Sequence, residues 1–273
     1  MIDQYAVVGN PISHSKSPKI HALFAQQTGQ AMDYTAIQAP LDGFSDVVES
    51  FFDGGGKGLN VTVPFKEQAW RMAVKRTPQA EKAGAVNTLW RDEDGQLWGG
   101  NTDGSGLVRD ITINLNFSIA GKRILVLGAG GAVRGVLQPL MAARPACVTL
   151  ANRTRHKADE LVSLFTDQGP IQAMEFNALD GGFDLVINGT SASLAGDIPP
   201  ISPDCVKGAG LVYDMMYAPQ GTAFLHWAQA MGATRGEDGL GMLVEQAAEA
   251  FFIWRGVRPQ TTPVLDALRS FSG

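Results

Sequence analysis

The segment RILVLGAGGAVRG, residues 123–135, decides the fold. Its apolar first part, Arg123 to Leu127, predicts a buried strand, and Gly131 to Ala143 predict a helix. The glycine-rich turn between them lets the backbone turn tightly and approach a ligand, and the N-terminus of the helix attracts phosphate. A strand, a glycine turn and a helix in this order predict a dinucleotide-binding site; a tight turn without a ligand is the alternative.

The turn contains five predicted cofactor-binding residues: Gly128, Ala129, Gly130, Gly131 and Ala132. Val133 occupies the place of the third glycine in the usual G-x-G-x-x-G pattern. That glycine serves close packing between helix and strand rather than contact with phosphate, so its absence leaves the predicted chemistry intact.

Further strand-forming runs follow the glycine turn. Val148 to Ala151 predicts a second strand, so that strand, helix and strand span roughly 30 residues, the size of a crossover between parallel strands. Asp184 to Ile187 and Leu211 to Tyr213 are mostly apolar runs, typical of strands buried on both faces. We therefore predict a doubly wound, Rossmann-type domain that begins after Gly104.

The first 100 residues predict a separate α/β unit. Short strands alternate with helices; the predicted strands are Tyr5–Val8, Tyr34–Ala39 and Leu59–Val63, followed by a hairpin over Thr88–Trp98. The predicted fold class is thus α/β with two domains. Two more helices are predicted near the C-terminus, Leu240–Trp254 and Val264–Phe271, and periodicity alone assigns them to neither domain.

The end of the second strand of the Rossmann-type domain indicates which dinucleotide is bound. An NAD site usually places a carboxylate there to hold the ribose 2′-hydroxyl. This strand instead leads into Asn152, Arg153, Thr154 and Arg155, which provide two guanidinium groups and no acid. Arginine suits a phosphate, so the sequence predicts NADP rather than NAD. The alternative is that both arginines are ordinary solvated charges at the start of a helix.

Composition narrows the class of protein. The 273 residues carry a formal net charge of −5, which predicts no nucleic-acid partner. Cys147 and Cys205 lie far apart and form no metal-binding motif, so neither a disulfide nor a bound metal is expected. Because we find no signal peptide and no apolar run of membrane-spanning length, we predict a cytoplasmic protein without a membrane partner.

Three polar clusters occur in the first unit, where a purely structural domain would not need them. They are Ser13-His14-Ser15, the segment Asn60-Val61-Thr62-Val63-Pro64-Phe65-Lys66, and Ala85-Val86-Asn87-Thr88 with Asn101-Thr102-Asp103-Gly104. Together they provide hydroxyls, amides, one lysine and one aspartate, which suit a small ligand with several hydroxyls and a carboxylate. Each residue alone has an equally good interpretation as a turn residue or a solvated charge.

The motifs of both halves, taken in order, resemble those of the shikimate dehydrogenase family over nearly the whole chain. They read NPISHSKSP, NVTVPFK, AGAVNTL, NTDG, GAGGAVRG, ANRT, NGTSAS, YDMMY and DGLGMLVEQAA. The combination of NVTVPFK with NTDG is the most specific part. The resemblance implies an oxidoreductase that interconverts 3-dehydroshikimate and shikimate with NADPH, in the biosynthesis of chorismate and the aromatic amino acids.

The resemblance also implies roles for individual residues. Lys66 and Asp103 match the catalytic pair. The predicted substrate-binding residues are Ser13 and Ser15 for the carboxylate, with Asn60, Thr62, Lys66, Asn87, Asp103, Tyr217 and Gln246 around the hydroxyls. The predicted cofactor-binding residues outside the glycine turn are Asn152, Arg153, Thr154, Arg155, Thr190, Met215 and Gly239. The family fold returns the last helices to the first domain, so we predict a substrate domain of residues 1–104 with 241–273 and an NADP-binding domain of residues 105–240.

The expected chemistry needs a proton donor. Hydride transfer to a ketone leaves an alkoxide that must be protonated, and Lys66 is the candidate donor. The alternatives are a quinate/shikimate dehydrogenase with relaxed cofactor use, and a non-catalytic, nucleotide-sensing relative that would have lost Lys66 or Asp103. A monomer and a homodimer are both compatible with the sequence.

Overall fold

The computed structural model describes residues 2–190 and 192–270, without the side chains of residues 194 and 195. The chain forms two compact units. The first unit extends to Gly106 and resumes at Val244, and the second runs from Leu107 to Leu243. Phe271, the predicted end of the last helix, lies outside the described residues.

A six-stranded mixed sheet forms the centre of the first unit. Its strands are β1 (Asp3–Gly9), β2 (Met32–Gln38), β3 (Gly58–Val61), β4 (Lys75–Arg76), β5 (Thr88–Arg91) and β6 (Leu97–Gly100). The helices between them are α1 (Ser17–Thr28), α2 (Phe44–Asp53), α3 (Lys66–Met72) and α4 (Pro78–Ala83). The strand order is β2-β1-β3-β5-β6-β4. β2, β1 and β3 are parallel, and β5 and β6 form the predicted antiparallel hairpin, which is confirmed.

Burial explains why β1 and β3 lie inside this sheet. Along β1 the side chains of Ala6 and Val8 face one apolar core and those of Tyr5 and Val7 face another, as alternation along a strand requires. Gly9 ends β1, where a β-carbon would lie 2.5 Å from Cγ2 of Thr62. The loop after β1 and the segment after β3 can therefore run side by side.

One face of the first sheet carries an aromatic cluster around a buried histidine. His21 on α1 is fully buried, stacks on Tyr34 with ring centroids 4.1 Å apart, and lies 5.5 Å from the ring of Trp254. Neither ring nitrogen has a hydrogen-bond partner among the described residues. Burial lowers the pKa of His21 to about 3, although the nearby Asn60 amide opposes this shift.

The lowered pKa of His21 predicts how stability depends on pH. The folded chain binds this proton more weakly than the unfolded chain, where the pKa is 6.5. The contribution of the neutral ring is therefore complete above pH 6.5 and is lost as the pH falls, by at most about 1.4 kcal/mol per pH unit. His21→Phe keeps an aromatic ring and removes the titration. We expect urea unfolding between pH 7.5 and 4.5 to show a shallower loss of stability in this variant.

The control for this prediction is His156→Phe. His156 has a side chain that is 79% exposed, so its substitution should leave the pH dependence of the unfolding free energy as it is in the unsubstituted chain. Identical pH dependence in the His21→Phe protein and the unsubstituted chain would contradict the assignment.

Six parallel strands form the sheet of the second unit. They are β7 (Arg123–Leu127), β8 (Cys147–Ala151), β9 (Ile171–Met174), β10 (Leu185–Asn188), β11 (Leu211–Asp214) and β12 (Gly236–Asp238). The main helices along this part of the chain are α5 (Asp103–Arg109), α6 (Gly131–Ala142), α7 (Arg155–Ser163) and α8 (Ala223–Ala230). The strand order β12-β11-β10-β7-β8-β9 is that of a doubly wound sheet. The predicted α/β fold is thus confirmed, and ligands of such sheets bind where the order reverses, here between β7 and β10.

Val133 shows how this sheet tolerates the missing third glycine. The side chain of Val133 is fully buried, and a β-carbon on Gly189, just after β10, would overlap its Cγ2 atom. The absence of a side chain at Gly189 therefore makes space for the Val133 side chain, and the helix can pack closely on the sheet without a glycine at position 133. Gly128, by contrast, is needed for its own conformation, because its φ is +107°.

The last two helices are α9 (Leu240–Arg255) and α10 (Thr262–Ser270). The chain re-enters the first unit at Val244 within α9, so the predicted return of the C-terminal helices is confirmed. Trp254 packs on Tyr5 of β1 with ring centroids 5.0 Å apart, and Arg255 pairs with Asp3 at 2.5 Å. None of the helices in the described part of the chain has the length and apolar character that a membrane span requires.

Candidate active site

The strand register brings polar side chains of the first unit to one edge of its sheet. β3 ends at this edge, and because β5 is antiparallel to β3, β5 begins there. Asn60 consequently lies opposite Thr88, and Thr88 lies opposite Gly100 at the end of β6. Helices α3 and α5 start just beyond the ends of β3 and β6, at Lys66 and Asp103. Residues far apart in sequence therefore meet at this edge.

Lys66 and Asp103 form an ion pair at this edge. Nζ of Lys66 donates a hydrogen bond to Oδ2 of Asp103 at 2.5 Å, and the two side chains are 22% and 9% exposed. The other carboxylate oxygen, Oδ1, accepts from Nδ2 of Asn87 at 2.8 Å. The carboxylate is therefore held from two sides, while the ammonium remains accessible to a small molecule.

Asn87 connects the ion pair to the rest of the cluster. Its Nδ2 atom lies 2.9 Å from Oγ1 of Thr102 and 3.3 Å from Oε1 of Gln246 on α9. Its Oδ1 atom accepts from the backbone N–H of Thr102 at 2.9 Å. Asn60 donates from Nδ2 to the carbonyl oxygen of Asn87 at 3.2 Å. The structure thus brings together five of the residues predicted to bind substrate: Asn60, Lys66, Asn87, Asp103 and Gln246.

Ser13, Ser15 and Thr62, the other predicted substrate-binding residues of the first unit, form no hydrogen bond with this cluster among the described residues. Ser13 is exposed and Ser15 partly buried, on the loop after β1. Thr62 donates its backbone N–H to the carbonyl of Val8 on β1 at 2.9 Å. Oγ of Ser15 accepts from the backbone N–H of Ser17 at 3.3 Å, and its O–H is left to donate.

Two further residues belong to the cluster, and the sequence analysis predicted no individual role for either. Tyr34 on β2 donates its hydroxyl to Oδ1 of Asn60 at 2.7 Å. Thr88 on β5 lies between the amides of Asn60 and Asn87, at 3.2 and 2.8 Å. Thr88 belongs to the third polar cluster of the sequence, whereas the sequence carries no signal for Tyr34, which reads as an ordinary strand aromatic.

In the second unit, several predicted cofactor-binding residues pack closely around the glycine turn. A β-carbon on Gly128 would lie 3.3 Å from the Gly189 carbonyl and from Cγ2 of Thr190. A β-carbon on Gly189 would lie 3.2 Å from Sδ of Met215, and one on Gly239 would overlap the Met215 carbonyl oxygen. Close packing therefore brings together Gly128, Thr190, Met215 and Gly239, all of which are predicted cofactor positions.

Tyr217, a predicted substrate-binding residue, lies just after β11 and therefore belongs to the second unit. Burial raises the pKa of Tyr217, and the charge of Asp238 raises it further. The phenol therefore keeps its proton at neutral pH and remains a hydrogen-bond donor.

Gly130 and Gly131 carry the clearest indication of a ligand. Gly130 has φ −86° and ψ −177°, which any residue can adopt, and Gly131 is the first residue of α6. A β-carbon on either would meet no atom within 4 Å. Neither the conformation nor the packing of the chain requires glycine here, whereas a pyrophosphate close to the backbone does. Ala129 and Ala132, both partly buried, complete the turn.

The segment after β8 presents one unpaired arginine. Asn152 donates from Nδ2 to the carbonyl of Thr154 at 2.9 Å, which shapes the turn. Arg155 begins α7 and pairs with Asp159 at 3.3 Å. Arg153 is exposed and has no ion-pair partner among the described residues. Of the two predicted phosphate-binding arginines, Arg153 is thus the more available.

The second unit has a glycine turn at the switch point of a doubly wound sheet, and the first unit has a lysine–aspartate pair among buried amides. Together they define a two-domain, dinucleotide-dependent oxidoreductase. A shikimate dehydrogenase (NADP(+)) of Hahella chejuensis is 61% identical over 98% of this chain and 99% of its own length. The chain belongs to the shikimate dehydrogenase family.

Family models and solved structures agree with this assignment. The shikimate dehydrogenase substrate binding domain matches residues 7–89, shikimate / quinate 5-dehydrogenase matches 111–195, and the shikimate 5'-dehydrogenase C-terminal domain matches 239–269. The structure of an Ael1 enzyme from Pseudomonas putida has a TM-score of 0.93 at 46% identity, covering 97% of this chain and 98% of its own. The shikimate 5-dehydrogenase of Thermus thermophilus, solved with NADP(H) and shikimate, has a TM-score of 0.88 at 32% identity, covering 98% and 99%.

Proposed function

We propose that this chain catalyses the reversible reduction of 3-dehydroshikimate to shikimate with NADPH, a step in the biosynthesis of chorismate and the aromatic amino acids. The observation that carries the proposal is the bonded pair of Lys66 and Asp103, held by Asn87 within a cluster of amides and hydroxyls. A quinate-using enzyme with relaxed cofactor use is not favoured by the curated relatives, and a non-catalytic relative is not favoured by an intact ion pair.

We assign the substrate to the first unit and the cofactor to the second. The substrate domain comprises residues 1–104 with 241–273, and the cofactor domain comprises residues 105–240. The different chemistry of the two edges supports this assignment, because the edge in the first unit is lined by amides and hydroxyls and the edge in the second unit by bare glycine backbone.

The first unit offers groups that match the chemistry of shikimate, a cyclohexene carboxylate with three hydroxyls. The hydroxyls of Ser13, which is exposed, and of Ser15, which is partly buried, bind the carboxylate. Asn60, Thr62, Asn87, Asp103 and Gln246 surround the hydroxyls, and Tyr217 is a further proposed donor to the substrate. Buried amides reject analogues that leave them unpaired, which gives the site its selectivity.

Lys66 moves the proton. NADPH, when bound, supplies the hydride. During reduction of the ketone, Nζ of Lys66 donates a proton to the oxygen that becomes the hydroxyl, and in oxidation it takes that proton back. Asp103 accepts one hydrogen of the ammonium and so orients the other two, while Asn87 keeps the carboxylate in place.

The cofactor is NADP, and the second unit fits it. The backbone of Gly128 to Ala132 would hold the pyrophosphate at the N-terminus of α6. The turn Asn152–Arg155 would hold the 2′-phosphate, with Arg153 as its main cation, and Thr190, Met215 and Gly239 would line the nicotinamide end. The open space over Gly130 and Gly131 is the observation that supports this fit.

Arg153→Ala tests the selectivity for NADP. Because charge-assisted hydrogen bonds contribute about 1.5–3 kcal/mol, we expect the KM for NADP⁺ to rise about 10- to 100-fold. The KM for NAD⁺, which has no 2′-phosphate, should stay nearly constant in the same variant. Steady-state kinetics with both cofactors measures this, and a parallel rise for NAD⁺ would show that Arg153 does not recognise the phosphate.

The proposed function is tested by following NADPH formation at 340 nm with shikimate and NADP⁺. We expect turnover with shikimate that exceeds turnover with quinate, and a preference for NADP⁺ over NAD⁺. An absence of turnover with shikimate would refute the proposal, and faster turnover with quinate would favour the alternative enzyme.

We also propose that the protein is cytoplasmic and acts as a monomer or homodimer without a nucleic-acid partner. Its free thiols, Cys147 and Cys205, suit a reducing compartment. Gel filtration with light scattering measures the oligomeric state.

A further inference from the structure

The hydrogen bonds around Asn60 and Asn87 have donors and acceptors that the structure determines. A backbone N–H can only donate and a carbonyl oxygen can only accept, so bonds to the backbone show which end of a side-chain amide is which. The N–H of Thr102 donates to Asn87 at 2.9 Å, so that end of the Asn87 amide is the oxygen. The nitrogen of the same amide must then face Asp103.

The same reasoning shows which end of the Asn60 amide is the nitrogen. Its Nδ2 atom donates to the carbonyl oxygen of Asn87 at 3.2 Å, so this end is the nitrogen. The oxygen therefore faces Tyr34 at 2.7 Å, and the Tyr34 hydroxyl must be the donor. Burial raises the pKa of Tyr34, so this hydroxyl keeps its proton.

Thr88 joins the two amides with one hydroxyl. Its oxygen accepts from the nitrogen of Asn60 at 3.2 Å and donates to the oxygen of Asn87 at 2.8 Å. Thr88 is fully buried, and Asn60 and Asn87 are nearly so. Water therefore cannot easily replace a lost hydrogen-bond partner, and a buried amide that lacks a partner lowers the stability of the fold. The sequence Tyr34–Asn60–Thr88–Asn87–Asp103–Lys66 is one continuous chain of hydrogen bonds.

We propose that Tyr34 and Thr88 are positioning residues for the reaction, whose hydroxyls hold the Asn60 and Asn87 amides in the orientation that the bonds to the backbone define. The inference rests on the proposed function, because it takes those amides as substrate-binding groups. Neither hydroxyl needs to touch the substrate. Both act through Asn60 and Asn87, which set the pattern of donors and acceptors that a ring with several hydroxyls meets.

Three substitutions test the positioning role. Thr88→Val keeps the shape and removes the hydroxyl, Thr88→Ser keeps the hydroxyl, and Tyr34→Phe removes the donor to Asn60. The matched control is Tyr5→Phe, since Tyr5 is buried in the neighbouring strand and its hydroxyl bonds to Arg255. The readouts are steady-state kinetics, calorimetric binding of shikimate without cofactor, and the melting temperature.

We expect Thr88→Val and Tyr34→Phe to weaken shikimate binding and to lower kcat/KM for shikimate by about 10- to 100-fold. The KM for NADP⁺ should be unchanged. Thr88→Ser should restore most of the activity, and Tyr5→Phe should match the unsubstituted chain. If Thr88→Val does not fold, the comparison of Tyr34→Phe with Tyr5→Phe decides the question.

Two outcomes would overturn the inference. In the first, the Thr88→Val and Tyr34→Phe proteins fold and bind shikimate with unchanged affinity, even if their melting temperatures are lower. Both hydroxyls would then have only a structural role. Equal losses in Thr88→Ser and Thr88→Val would show that the hydroxyl is not the relevant group. An unsubstituted chain that neither binds nor oxidises shikimate would instead refute the proposed function, so the two failures are distinguishable.

Discussion

Substitution of Lys66 by alanine is expected to lower kcat for shikimate oxidation by about 10²- to 10⁴-fold, the usual scale for loss of a general acid–base. The KM for NADP⁺ should be nearly unchanged, because Lys66 belongs to the first unit and the glycine turn to the second. Lys66 is the cation bonded to Asp103 in the amide cluster, and alanine has no proton to donate in its place. Steady-state kinetics with both substrates varied separates the two effects.

The control for this substitution is Lys75→Ala. Lys75 lies in the same unit and also pairs with an aspartate, Asp92, at 3.1 Å, but its side chain is 40% exposed and outside the cluster. Its loss should leave kcat intact. Because Lys66→Ala leaves the carboxylate of Asp103 mostly buried without its cation, folding must be verified by circular dichroism before kinetics are compared. Near-normal kcat in folded Lys66→Ala protein would remove Lys66 from the mechanism.

The second large effect is expected from Gly130→Ala, which should raise the KM for NADP⁺ by at least about 10-fold without lowering stability. An added methyl group meets no protein atom and the backbone conformation is open to alanine. The substitution should leave stability unchanged or raise it by roughly 0.4–1 kcal/mol. The same methyl group would occupy the space over the turn where the pyrophosphate approaches the backbone.

Gly128→Ala provides the contrast, because at Gly128 the φ of +107° strains any other residue. We expect that substitution to lower the melting temperature, whereas Gly130→Ala should change only cofactor kinetics. Shikimate affinity measured by calorimetry should be unchanged in Gly130→Ala. A normal KM for NADP⁺ in that variant would indicate that the turn does not hold the pyrophosphate.

The second sheet could be predicted largely from the sequence, because β7, β8, β10 and β11 are buried apolar runs. The three strands that were not predicted, β4, β9 and β12, all lie at the edges of their sheets. β4 consists of Lys75 and Arg76, and β12 of Gly236–Asp238. These three edge strands have only two to four residues and take their form from the ladder of a neighbour, so their own pattern carries little signal. The edge strand β2 has seven residues and could be predicted.

The site could be predicted only in part for a related reason. The motifs identify Lys66, Asn87 and Asp103, but no spacing along the chain predicts that Asn60 pairs with Thr88 across two strands. That contact follows from the register of an antiparallel pair, which the tertiary fold sets. Tyr34 enters the cluster from β2, two strands away from β3 in the sheet, and only the structure reveals its bond to Asn60.

The most direct test of the account is a crystal structure of this protein with shikimate and NADP⁺ bound. The account predicts that a shikimate hydroxyl lies about 2.6–3.2 Å from Nζ of Lys66 and within hydrogen-bond reach of Asp103. It also predicts that the carboxylate binds to Ser13 and Ser15. Shikimate bound away from the Lys66–Asp103 pair, or bound there with no contact to either side chain, would contradict the account.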